Sequence, residues 1–148
     1  MKTMFLPRWE STQSYLNEMT GKFNKETLAF KPTEEVMTAQ EQLAHLCRHM
    51  NWVYGMLSGE SVQKDYSSVN SVAAFQENQK EVMSRIQDWV KRASENELRK
   101  TVFFQPANRE YSKNELLLLL LDHTRDHTGQ LVVYLRLNGE EPPKYKGW

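Results

Sequence analysis

At 148 residues, 39% of them hydrophobic, the chain has the length of one domain with a sizeable core and is too short for two. Its 19 basic and 19 acidic residues cancel, so no overall positive field exists to attract a phosphate backbone, and no run of Lys or Arg replaces one. The longest apolar run is six leucines, far below the roughly 20 residues of a bilayer span, and the start lacks the zones of a signal peptide; with a single cysteine, Cys47, this predicts a soluble cytoplasmic protein with no nucleic-acid or membrane partner.

Along the chain, apolar residues recur at three- and four-residue steps, while glycine and proline sit at the edges of these stretches. A first helix is expected from about Pro7 or Arg8 to Phe23, with Trp9, Tyr15, Leu16 and Met19 as its buried stripe. Lys31-Pro32-Thr33 marks a connector. Thr38 and Glu41 have capping-box spacing and open a second helix that continues to about Ser58, where Gly59 stops it. Residues 60–70 carry no helical period and form a long loop between the second and third helices. Eleven extended residues reach roughly 36 Å, enough for the two helices to run parallel.

A third helix should follow Ser71 and extend to Ala93, burying Phe75, Val82, Ile86, Trp89 and Val90. Ser94 and Glu97 repeat the cap spacing and suggest a short extra turn. Segment 100–111, with Val102-Phe103-Phe104 and Pro106, is compatible with a brief extended piece or a packed loop. Ser112 and Glu115 form a third capping box, and the fourth helix runs to about Asn138, with Gly139 as its stop and Pro142-Pro143 beyond. The tail to Trp148 either packs on the bundle or frays. One all-α domain over 1–148, a four-helix bundle, is the architecture that follows.

All four histidines fall into two pairs spaced for one helical face, His45 with His49 and His123 with His127. On the fourth helix His123, His127, Gln130 and Tyr134 lie within about 40° to 60° of one another, a polar strip in an otherwise apolar helix. His45, His49, Trp52 and Met56 share a strip on the second. One such pair is often merely solvated or hydrogen-bonded, but two facing strips of imidazole are most simply satisfied by a shared divalent cation. Neutral imidazole suits Zn²⁺, Ni²⁺, Fe²⁺ or Cu²⁺ and argues against Ca²⁺ and Mg²⁺. Asp122, Arg125 and Asp126 form a solvated edge, with Asp126 able to orient an imidazole. Cys47 lies about 200° from His45 around the helix and is expected to be a core thiol rather than a ligand. Leucines 116 to 121 cover every side of their helix, which makes it central or shared with another subunit.

Three stretches resemble the DinB/YfiT-like metalloproteins: Ala39-Gln40-Glu41-Gln42-Leu43-Ala44-His45-Leu46, His123-Thr-Arg-Asp-His127-Thr-Gly-Gln130, and Leu135-Arg-Leu-Asn-Gly139-Glu-Glu-Pro-Pro143. With the helix order, the resemblance covers nearly the whole chain. It implies a four-helix bundle of up-down-down-up connectivity, frequent homodimers, and a metal, usually zinc or nickel, on His45, His123 and His127. His49 falls outside that pattern and is placed, with Trp52, Gln130, Tyr134 and Asp126, in the pocket or around the ligands. The activity implied is transfer of a low-molecular-weight thiol to a small electrophile, with no catalytic side chain beyond what the ion activates. A metal-dependent hydrolase of a small amide or ester is the second expectation. The third is a non-enzymatic dimeric stress-response or binding protein with a structural metal, in which a fourth ligand such as His49 closes the site.

Overall fold

A computed structural model of the protein describes residues 2–60, 64–67 and 69–145. Six helices and one hairpin follow in order: α1 (Lys2–Thr20), α2 (Lys25–Leu28), α3 (Ala39–Ser58), α4 (Val72–Arg92), α5 (Glu95–Arg99), β1 (Thr101–Phe104), β2 (Arg109–Ser112) and α6 (Lys113–Leu137). The expected first to fourth helices are α1, α3, α4 and α6. Of the loop expected at 60–70, residues 61–63 and 68 lie outside the described residues, as do 146–148 of the tail.

The caps act where the spacing put them. Thr38 accepts from the Glu41 amide while the Glu41 carboxylate accepts from the Thr38 amide at 2.7 Å, and Ser112 with Glu115 repeats both bonds at the head of α6. Gly59 and Gly139 close α3 and α6 at φ 79° and 76°, a left-handed conformation that glycine enters without a Cβ clash.

Three expectations need correction. The first helix starts five residues before Pro7 and ends at Thr20 rather than Phe23. Proline removes one backbone donor in the second turn, but Phe5 is buried and stacks on Trp9 at 5.4 Å, and burying that ring outweighs one lost bond. A short helix, α2, was not anticipated. Asn24 caps it by accepting from the Glu26 and Thr27 amides, while Thr27 Oγ1 accepts from the Asn24 amide at 2.8 Å. Finally, the fold is mostly rather than purely helical. Segment 101–112 is an antiparallel hairpin pairing Thr101 with Ser112 and Phe104 with Arg109, and Asn108 turns it at φ 50°.

Each long helix packs on two others, α1 on α4 and α6, and α3 on α4 and α6. Between α1 and α4, Lys2 Nζ donates to the Lys91 carbonyl, Trp9 Nε1 to the Met83 carbonyl, and Gln79 Nε2 to Thr20 Oγ1, so these two helices run in opposite directions. Between α3 and α6, Gln42 meets His127 and the Leu57 carbonyl meets Lys113, again an antiparallel pair. The core holds Trp9, Leu16, Leu43, Leu46, Phe75, Ile86, Leu117 and Leu131, all without solvent exposure or nearly so. Of the leucine block, Leu116, Leu117, Leu120 and Leu121 are buried, while Leu118 and Leu119 face outward. Among the described residues no helix is long and apolar enough to cross a membrane.

Candidate metal centre

The Thr38 cap fixes where α3 begins, and this sets the face on which Gln42, His45 and His49 project, at steps of three and four residues. On α6 His123 and His127 stand one turn apart. Because α3 and α6 are antiparallel neighbours, the two sets meet: His45 Nε2 lies 3.1 Å from His123 Nε2, and the His127 ring centroid lies 4.8 Å from that of His45 and 4.6 Å from that of His123.

One nitrogen from each of His45, His123 and His127 falls within 4.8 Å of the others, and these three residues could hold a metal ion. Imidazole nitrogens about 2.0–2.1 Å from a zinc ion stand about 2.8–3.4 Å apart at right or tetrahedral angles. The His45–His123 separation matches this.

The tautomer of His127 is set by Gln42, which is 1% exposed. Its amide oxygen lies 3.0 Å from His127 Nδ1, so that nitrogen carries the proton and donates, leaving the Nε2 lone pair for a ligand. In the sequence, Gln42 stands out only as part of the opening of α3. The missed signal is its position three residues before His45, on the same face.

Burial keeps all four imidazoles neutral at neutral pH. Desolvation, then the neighbouring imidazoles, push His127 down to about 4 and His49 down to about 3. His45 is lowered by burial and by the Arg48 guanidinium; His123 is lowered by burial and His45, with Asp126 pulling the other way. Neutral nitrogen is the state a divalent ion requires. An all-nitrogen donor set fits zinc or nickel and not calcium or magnesium.

The remaining expected site residues separate into those beside this cluster and those away from it. His49 lies tilted against His123, with ring centroids 3.9 Å apart, and its buried Nδ1 has no hydrogen-bond partner among the described residues. Trp52 is 42% exposed, 5.8 Å from the His49 ring and 5.3 Å from Phe104, which continues to Tyr111 at 5.4 Å. The hairpin thus brings an aromatic wall to the cluster. Gln130, by contrast, is exposed and donates to Asp126 Oδ2 at 3.1 Å, so these two side chains engage each other outside the imidazole group. Tyr134 donates to the Met37 carbonyl at 2.8 Å and packs edge-on against Phe30, tying down the segment before α3. Cys47 is fully buried away from the histidines, its thiol pushed up to about 12 by desolvation.

The family model of the DinB family matches residues 1–147. Among solved structures, a DinB-like protein from Bacillus cereus superposes with a TM-score of 0.81 at 20% identity, covering 95% of this chain and 94% of that one. A DinB-like protein from Bacillus subtilis gives 0.74 at 20% identity, with 96% and 97% coverage. A conserved protein from Enterococcus faecalis gives 0.73 at 11% identity, with 93% and 96% coverage. These three similarities carry the fold. No functionally curated protein matches the chain.

Proposed function

Since the chain belongs to the DinB family, we propose that it is a divalent-metal-dependent enzyme resembling the low-molecular-weight-thiol S-transferases, with His45, His123 and His127 as ligands of zinc or nickel. The observation that carries this reading is the convergence of three neutral imidazole nitrogens from two helices, with no carboxylate among them. When bound, such an ion supplies Lewis acidity that lets a thiol exist as thiolate near neutral pH.

The chain's own groups do the rest. Gln42 holds the His127 ring in the orientation and tautomer that present Nε2. Trp52 and Phe104 supply an apolar border that admits an electrophile and limits water. Cys47, the one thiol of the chain, does not compete as nucleophile because it is sealed in the core. The two antiparallel helix pairs support up-down-down-up connectivity, and Leu118 and Leu119, 40% and 37% exposed on α6, support a homodimer through that helix.

The test is turnover by the metal-loaded protein with a panel of small electrophiles, in the presence of bacillithiol or glutathione and in water alone. Thiol-dependent adducts, identified by mass, are the expected result. Consumption of the panel without any thiol rejects the transferase and puts a hydrolase of a small amide or ester in its place.

A further inference from the structure

A second site lies on the other side of α6. Between α1, α6 and the segment beyond α6 is a cleft of about 300 Å³, the lower end of the size range of small-molecule sites. Arg125, Gly129, Val132 and Arg136 contribute to it from α6, Tyr15 from α1 and Tyr145 from the tail. At 100° per residue, this α6 stripe is turned roughly 120° to 180° from His123 and His127. The cleft is therefore separate from the imidazole cluster.

Two features are unexplained by the packing of the chain. Among the described residues, the charged side chains lining the cleft are two arginines, and neither has a carboxylate within ion-pair distance. Gly129 stands mid-helix, where glycine weakens the helix relative to alanine, yet a Cβ there would meet nothing within 4 Å among the described residues. What its missing side chain does is keep the cleft open. The walls add aromatic surface: the Tyr15 and Tyr145 rings meet edge to face at 5.5 Å, and Tyr15 donates to the Pro143 carbonyl at 3.3 Å, which holds the tail across the cleft.

We propose that this cleft binds a small aromatic acid, its ring lying over Gly129 and Val132 against the tyrosines and its carboxylate or phosphate taken by Arg125 or Arg136. A guanidinium pairs either oxyanion in a bidentate fork, so the two acids share one recognition chemistry. The charge and the apolar floor together exclude cations and disfavour neutral rings.

The experiment titrates the protein with benzoate, with phenyl phosphate and with neutral benzamide, followed by calorimetry and by NMR. It is repeated on metal-free protein and on a His123→Ala, His127→Ala variant. The expected result is one-to-one binding of at least one acid with Kd below about 1 mM, weakened by salt, and at least about tenfold weaker binding of benzamide. The stronger of the two acids assigns carboxylate or phosphate. Gly129→Leu fills the cleft with a good helix former, so binding is lost while the melting temperature is kept or raised. Arg125→Gln and Arg136→Gln each retain the fold, and at least one of them weakens the acid about tenfold. The proposal is overturned if neither acid saturates by about 10 mM, if benzamide binds as well as the acids, if Gly129→Leu binds unchanged, or if binding vanishes with the histidines, which would place the acid at the imidazole cluster.

Discussion

Two buried polar groups lie along the seam between α3 and α6, and they are finished differently. At the head of α6, Lys113 is only 8% exposed, yet its ammonium donates to the Leu57 carbonyl at 2.6 Å and to Glu97 at 2.5 Å and lies 5.4 Å from the Trp89 ring. Glu97 also meets Lys100, and the two cations, Lys100 first, hold its carboxyl down to about 2. Three turns further on, two histidine ring nitrogens face each other at 3.1 Å, and His49 Nδ1 is buried with no partner among the described residues. A buried polar group that has found its partners joins elements together. One left short of partners costs stability.

The comparison can be broken most sharply at the ligands. Replacing His123 and His127 together by alanine should reduce metal in the purified protein from about one ion per chain to background; unchanged content by elemental analysis would remove the assignment. Gln42→Leu, which keeps volume but cannot accept from His127, should weaken metal affinity about 10–100-fold in a competitive chelator titration while leaving the fold intact. Lys113→Ala tests the other region. It should lower stability in urea by about 2 kcal/mol, because the Leu57 carbonyl is left without its donor and Trp89 loses cover, and metal content should not change.

Acid separates the two regions by window. The histidines are held below their ordinary value, so the unfolded chain takes up protons that the folded chain refuses. Metal-free protein should be most stable above pH 6.5 and lose stability as the pH falls from 6.5 toward 4, the folded value of His127. Arg48 adds to that loss through His45, and Asp126 moderates it at His123 and His127. Glu97 follows the carboxylate rule: its contribution is present above 4.5 and lost as the pH falls toward 2. Thermal melts of metal-free protein should show a decline of several degrees in the upper window, and His49→Phe should shrink it.

Much of this was legible in one sequence because it was local. The boxes at Thr38 and Ser112 and the stops at Gly59 and Gly139 depend on residues a few positions apart, and the helices they bound are where the pattern puts them. That the two histidine pairs face each other was legible too, since two half-sites of fixed spacing need only antiparallel neighbours to meet, whereas the choice of His45 with His123 and His127 came from the family resemblance. The parts that escaped depend on contacts distant in sequence. Phe5 carries α1 past Pro7 only through burial, the hairpin sets Phe104 beside Trp52, and Gln42 earns its role from a residue 85 positions away. Gln130 and Tyr134 share a helical strip with the histidines, but the strip is longer than the cluster. Gln130 turns outward to Asp126, and Tyr134 reaches the segment before α3.

Cys47 sits at the centre of α3 with no exposed surface and its thiol raised to about 12. It therefore stays silent toward a disulfide reagent for as long as the helices remain closed. Its labelling rate becomes a clock for opening of the whole bundle, readable with or without an ion and with or without an acid in the cleft, from a single sulfur that no substitution needs to introduce.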